Sequence, residues 1–283
     1  MSWRVKVEHR TGMRYASPVT VSFNEARMTP ADGDGQALYS HELHVTPPAR
    51  IQRYLDYWST QVEAFDVHEP HTILEVVATS LVDTSGPHLG RIDATWDELG
   101  AVTVRDEHCE MLTFTSYVDD ARLDPARADL AQSAVREATP AAAVAAIVAA
   151  VQQRLQYQPG VTTVSTTASQ AWDQRAGVCQ DFTHVTLSLL RSCGIPARYV
   201  SGYLYKGDGA VGETMVGESH AWIEAWVGSW LPMDPTNGLE VAEAHIVVAR
   251  GRDYGDVSPL KGIYAGGRSE ALGVEVALTR LPR

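Results

Sequence analysis

An α+β architecture is expected for this chain on three observations. Residues 1–118 carry short runs of alternating apolar and polar side chains, broken by Gly-, Pro- and Asp-rich turns. Antiparallel strands with one buried face require that pattern. Residues 119–140 turn acidic and helical in composition. Residues 141–283 open with long apolar runs and continue into a hairpin pattern. The expected organisation is an N-terminal antiparallel β-rich domain (1–118), a helical linker (119–140) and a second domain (141–283). In the second domain a cysteine-bearing helix and an antiparallel hairpin are expected.

The elements follow in order. Trp3, Val5 and Val7 alternate with charged residues and predict the first strand. Further strands are expected at about 19–23, 41–45, 73–81 and 112–118. Thr139 and Pro140 make an N-cap and first-turn pair for an Ala-rich helix over 141–151. Residues 178–193 are rich in Val and Leu and are stopped by Gly194 and Pro196, which predicts a second core helix. Residues 220–226 alternate, Gly228 and Ser229 make a turn, and 230–234 return, which reads as a hairpin. Glycine-rich loops follow, with Tyr254 and Tyr264 as aromatic anchors, and a last strand is expected at about 272–281.

The chemistry concentrates in three segments. Cys179 lies in the first helical turn after Gly177. Unpaired N–H groups there favour thiolate over thiol and can hold an oxyanion. His220 opens the first hairpin strand and Asp234 closes the second, so strand pairing brings them together. Asp234 can then orient the imidazole and leave its other nitrogen facing Cys179. A thiol nucleophile, a base and an orienting carboxylate are the parts of a cysteine-dependent acyl transferase or hydrolase. Trp222 and Trp230 are expected to wall the triad. Gln174 and Trp172, shortly before the cysteine, are candidates for a second oxyanion donor. Asp181 is expected to cap the Cys179 turn or anchor a nearby loop. Glu218 and Glu224 are read as rim or scaffold groups. His184, five positions after Cys179, falls on another helix face and is read as structural.

Composition narrows the class. Apolar residues make up 45% of the chain, enough for substantial cores, and the net charge is −12. That balance argues against nucleic acid or an anionic membrane as partner. The three cysteines are Cys109, Cys179 and Cys193. Cys179 and Cys193 are too far apart along one helix for a disulfide. Free thiols suit a reducing, cytoplasmic setting, and Cys109 and Cys193 are expected to be buried. The pairs His41/His44 and His68/His71 lack the further ligands a metal site needs. No metal and no organic cofactor is therefore expected.

These segments resemble the transglutaminase-like superfamily. Gly-Val-Cys179-Gln-Asp-Phe, Arg-Ser-Cys-Gly-Ile-Pro-Ala-Arg198-Tyr-Val-Ser-Gly202-Tyr, Ser-His220-Ala-Trp222 and Asp234-Pro-Thr-Asn occur in the family's order, over about residues 141–238. Asn24-Glu-Ala-Arg27-Met-Thr-Pro, His41-Glu-Leu-His44 and Pro47-Pro48 resemble the N-terminal β region of bacterial members. The resemblance implies a papain-like core, with Cys179 as nucleophile, His220 as general base and Asp234 as orienting acid. It further implies an enzyme acting on peptide or protein amides, a candidate cysteine peptidase. Hydrolysis of a peptide, isopeptide or glutamine amide through a thioester is the favoured outcome. Transamidation, arylamine acetyl transfer and a catalytically silent scaffold are the alternatives; the β-rich start argues against the acetyl transfer.

Overall fold

The computed structural model describes residues 2–207 and 209–283. The N-terminal alternation becomes β1 (Trp3–Val19), β2 (Val21–Ala26), β3 (Gln36–Thr46), β4 (Ile51–Leu55), β5 (Gln61–Val67) and β6 (His71–Thr84). Helical segments α1 (Trp96–Gly100), α2 (Val102–Glu107), α3 (Pro125–Ala134) and α4 (Pro140–Arg154) follow. Then come β7 (Gln156–Tyr157), α5 (Ala168–Gln174), β8 (Ala176–Gly177) and α6 (Cys179–Ser192). The remainder is β9 (Ala197–Leu204), β10 (Thr214–Gly217), β11 (His220–Trp226), β12 (Trp230–Asp234), β13 (Leu239–Glu240), β14 (His245–Gly251), α7 (Tyr254–Val257), β15 (Leu260–Ala265) and β16 (Ser269–Leu281). Mixed α+β with antiparallel sheets is the class, as expected.

Two sheets belong mainly to the N-terminal half, in the orders β10-β16-β1-β6-β3 and β15-β2-β5-β4. A third, β13-β12-β11-β9-β14, carries the hairpin. Strands β15 and β16, from the far end of the chain, complete the N-terminal sheets. Val7 faces Leu278 across β1 and β16, and Phe23 faces Ile263 across β2 and β15. Residues 260–281 therefore sit with the β-rich domain rather than with the core that a linear division at 141 assigns them to. An alternating strand announces its buried face, but its partner is set by long-range pairing.

The expected strand at 112–118 is a loop after a 3₁₀ turn (Cys109–Leu112). Thr115 accepts hydrogen bonds from the N–H groups of Tyr117 and Val118 through Oγ1. That local turn competes with strand geometry. The two core helices form where expected. Thr139 caps α4 by accepting from the Ala142 N–H, and Val144, Ile147, Val148 and Val151 are its buried face.

Helix α6 is enclosed: every residue from 180 to 191 is buried. Its polar side chains are paired within the fold. Thr183 and Thr186 donate to the carbonyls of Cys179 and Phe182, and Ser188 donates to Asp119 O. Arg191 donates to the carbonyls of Ala197, Thr113 and Arg252 at the helix C-terminus. Burial lowers its pKa to about 10, which leaves it charged at neutral pH. This packing holds the first turn of α6 against β11 and gives Cys179 a fixed position. Val5, Val7 and Val82 of the first sheet join the same apolar core as α4, α6, β9 and β11.

Candidate active site

The candidate site begins with the turn before α6. Val178 is extended and precedes Cys179, the first residue of the helix. Asp181 Oδ2 accepts from the Val178 N–H at 2.8 Å and from Thr162 Oγ1 at 2.7 Å. It thus both caps the turn and anchors the 159–166 loop. Burial raises its pKa, against the pull of these two hydrogen bonds. Gly177 is required by close approach: a Cβ there would lie 2.4 Å from Asp181 Oδ2.

The hairpin delivers the other two groups. Trp226 faces Trp230 and Ile223 faces Met233, so His220 and Asp234 lie at its open end. His220 Nε2 and Asp234 Oδ2 are 2.8 Å apart, and both side chains are buried. The Cys179 side chain adjoins His220 and also raises its pKa; with Nε2 on Asp234, Nδ1 is the nitrogen left for the thiol. Burial is the largest single influence on His220 and pushes its pKa down. The hydrogen bonds and attraction of Asp234 and Cys179 together outweigh it and raise the pKa to about 9. The imidazole is therefore charged at neutral pH.

Asp234 is held by more groups than the sequence suggests. Oδ1 accepts from the N–H groups of Thr236 and Asn237 at 2.9 and 3.1 Å. Oδ2 accepts from Asn237 Nδ2 at 2.8 Å, and His245 Nε2 lies 3.4 Å away. Burial opposes ionisation, but His220, His245 and Asn237 hold the carboxyl well below the usual carboxylate range. Burial lowers the pKa of His245, despite the Asp234 hydrogen bond, so His245 is neutral at neutral pH. Neither His245 nor Asn237 was singled out by sequence. Asn237 belongs to the Asp-Pro-Thr-Asn turn, whereas His245 has no local motif.

His220, Asp234 and His245 have ligand-type atoms within 4.8 Å of one another, a cluster that could hold a metal ion. Its members are already committed to each other by hydrogen bonds. The histidine pairs noted in the sequence lie elsewhere. His41 bonds Glu63 and Ser80, and His44 is exposed beside Glu42. His68 is exposed beside Asp66, and His71 bonds Glu69 O through Nδ1.

A cleft of about 280 Å³ opens over the thiol and imidazole. Cys179, His220, Tyr157, Lys206 and Glu218 line it, with Val276 and Leu278 of β16 from the N-terminal sheet. Gln174 and Trp172 lie outside it, which corrects their reading as oxyanion groups. Gln174 donates Nε2 to Val161 O, and Trp172 is buried beneath the Arg154 guanidinium at 4.6 Å. Trp222 is also no cleft wall. It is fully buried, stacked 6.0 Å from His220 and edge-on to His245 at 5.2 Å, so it supports the imidazoles from within. Gly202 leaves room for it, since a Cβ there would lie 2.7 Å from the indole. Trp230 sits at the far end of the hairpin with His108 and Arg198.

The other singled-out residues are structural. Glu224 is buried between Arg198 and Arg250. His184 is fully buried; its Nε2 accepts from the Tyr254 N–H, and burial lowers its pKa to about 3. Tyr254 packs against Tyr117 and Tyr264 against Tyr15, both away from the cleft. Cys109, expected to be buried, is exposed at the start of a 3₁₀ turn. Its short turn offers no cover. Cys193 is half-buried, and burial raises its pKa to about 11.

A pH dependence follows from His220. Its folded pKa of about 9 lies above the unfolded value. The stabilising pairing is complete below about 6.5 and is lost as pH rises through about 9. With the imidazolium as proton donor, kcat/KM should fall above pH 9. A pH–rate profile flat to pH 10.5 would show that His220 is not that donor.

Comparison with known proteins agrees with this arrangement. Residues 128–235 match the transglutaminase-like superfamily, and residues 5–83 match the bacterial transglutaminase-like N-terminal region. An uncharacterised protein of Mycobacterium leprae is 46% identical over 282 residues, spanning 99% of both chains. A protein-glutamine gamma-glutamyltransferase of Pseudomonas aeruginosa is 34% identical over 103 residues, 32% of this chain and 15% of that protein. A solved structure from Cytophaga hutchinsonii, named for a proposed cysteine-protease activity, superposes with a TM-score of 0.76 at 23% identity. That superposition covers 100% of this chain and 92% of the other, and it shows a shared fold. With Cys179, His220 and Asp234 inside or at the end of the matched core, the chain belongs to the transglutaminase-like superfamily and carries a bacterial transglutaminase-like N-terminal region.

Proposed function

We propose that this protein is a thiol-dependent acyl transferase acting on amides of peptides or proteins, with hydrolysis as its main outcome. The observation that carries the reading is the chain of contacts Asp234–His220–Cys179 at the floor of an open cleft. The Cys179 thiolate attacks the amide carbonyl, and the Sγ–C bond forms. The backbone N–H groups at the start of α6 receive the oxyanion. Tyr157 is a second donor. Burial, then the nearby Cys179 and Glu218 charges, keep its phenol protonated. The imidazolium protonates the departing amine as the C–N bond breaks, leaving a thioester and neutral His220. Water, deprotonated by His220, attacks the thioester and releases the acid and the thiolate.

Transamidation is the second reading, favoured by the activity for which the Pseudomonas relative is named. There a primary amine replaces water at the same thioester. Peptide mass spectrometry of a library treated with wild type and with Cys179→Ala, with and without a fluorescent primary amine, separates the readings. Cleaved or deamidated products that vanish in Cys179→Ala support hydrolysis. Amine-bearing products at the expense of acid support transamidation. Identical mass spectra from the two proteins would sink both.

Thiol reactivity gives a check that needs no substrate. With Cys109→Ser removing the exposed thiol, iodoacetamide at pH 7 should label Cys179 and leave Cys193 unmodified. His220→Ala should slow the labelling by about 10–30-fold, because an ordinary thiol is only a few per cent thiolate at that pH. Equal labelling with and without His220 would remove the ion pair from the mechanism. No helix among the described residues is long and apolar enough to cross a membrane. Free cysteines and a thiol nucleophile fit a reducing compartment, and we place the protein in the cytoplasm.

A further inference from the structure

The strand that leads into His220 is the edge of a sheet. β10 pairs with β16 on one side and ends the order β10-β16-β1-β6-β3. Its register sets Thr214 against Thr279 and Val216 against Ala277. One position earlier, Arg280 donates its N–H to Glu213 O at 3.1 Å. The Thr214 and Thr279 hydroxyls meet at 2.8 Å. The Arg280–Glu213 bond flanks Thr214–Thr279 and marks it as a closer, non-hydrogen-bonded pair. Antiparallel pairs alternate between hydrogen-bonded and non-hydrogen-bonded kinds. The amide and carbonyl groups of Thr214 and Val216 therefore point away from β16, along the free edge.

That edge is open and continuous with the chemistry. Val216 is 64% exposed, and a Cβ on Gly217 would meet nothing within 4 Å. Val216, Gly217, Glu218, Ser219 and His220 line the same cleft as Cys179. Edge strands are commonly blunted by charged residues or proline. Thr-Met-Val-Gly carries neither.

We propose that β10 is the landing strand for the acyl donor: the substrate is a polypeptide segment in extended conformation, added beside β10 as a further strand so that its reacting amide lies at Cys179. This rests on the acyl-transfer reading and narrows its substrate class. Main-chain hydrogen bonds to Val216 and Thr214 hold the segment. The N-terminal domain then has a part in the reaction, because β16 supports β10 and contributes Val276 and Leu278 to the cleft. Unfolded or loop segments are bound, whereas a small free amide lacks the main chain to dock.

The test uses denatured casein and its fragments as probe. Val216→Pro removes an N–H that β16 does not use, and proline is tolerated at such an edge position. Val216→Ala keeps the N–H. Binding of a fluorescent casein peptide is measured in the Cys179→Ala background, and kcat/KM in the parent. Val216→Pro should weaken both by about tenfold or more, and Val216→Ala, which loses the side chain but keeps the main-chain N–H, should weaken them several-fold less. Iodoacetamide labelling of Cys179 and circular dichroism should be the same in all three. If Val216→Pro misfolds, wild type is challenged with peptides N-methylated at successive residues. Loss at alternate positions supports the proposal. No casein binding, equal binding by the two variants, or indifference to N-methylation overturns it. Binding that shows the expected pattern without turnover retains the docking strand and rejects the acyl-transfer reading instead.

Discussion

Cys179→Ala and His220→Ala are each expected to lower kcat/KM on an amide substrate by about 10⁵–10⁶-fold, and the double variant by little more. In the proposed mechanism the two side chains act as one unit. Without the thiol no thioester forms. Without the imidazole the thiol loses its neighbouring base, and the departing amine loses its proton donor. Cys179 is half-buried at a helix start, so its truncation leaves the core intact. His220 is buried beside Asp234, and its removal leaves that carboxylate with four donors instead of five. Circular dichroism should therefore show folded protein in both cases. Losses that multiply in the double variant would mean that the two residues act independently, and the relay would be wrong.

Asp234→Asn carries the second-largest expected effect, a loss of about 10²–10⁴-fold. Asn keeps the size but turns one oxygen into a donor. At Oδ2 it would then face His220, Asn237 and His245, three groups that donate now. The pairing that lifts the His220 pKa to about 9 is lost with the charge. The alkaline limb of the pH–rate profile should accordingly move to lower pH, which a purely structural role would not produce. His184→Ala is the control. That ring is buried, neutral and bonded to the Tyr254 N–H. Its truncation should cost stability, about 2–4 kcal/mol, and leave the pH profile in place. A dead but folded His184→Ala beside a fully active Asp234→Asn would assign the base elsewhere.

Much of the site is legible because its parts are local. Gly177, Cys179 and Asp181 lie within one turn and the following helical start. Asp181 does what a short acid at that spacing does, accepting from the Val178 N–H. The Gly228-Ser229 turn aligns His220 with Asp234 through strand register alone. The remaining contacts join residues distant in the chain, or depend on which way a side chain turns. Gln174 is near Cys179 in sequence, yet its amide is spent on Val161 O. Trp222 alternates as a strand residue should, but alternation does not say which layer lies beneath it.

The sequence by itself determined the α+β class and the family resemblance, the helix that presents Cys179, the hairpin that pairs His220 with Asp234, and most of the strands that alternate. Those features rest on spacing within a few residues, where backbone period and turn geometry leave few choices. Tertiary structure alone decided that His245 also bonds Asp234 and that Cys109 is exposed. It alone decided that β15 and β16 join sheets begun by the first strands, and that β10 becomes an open edge beside the thiol. The physical reason is that strand partners and burial are set by the summed packing of distant segments. A residue's own neighbours in sequence carry too little of that sum to reveal it.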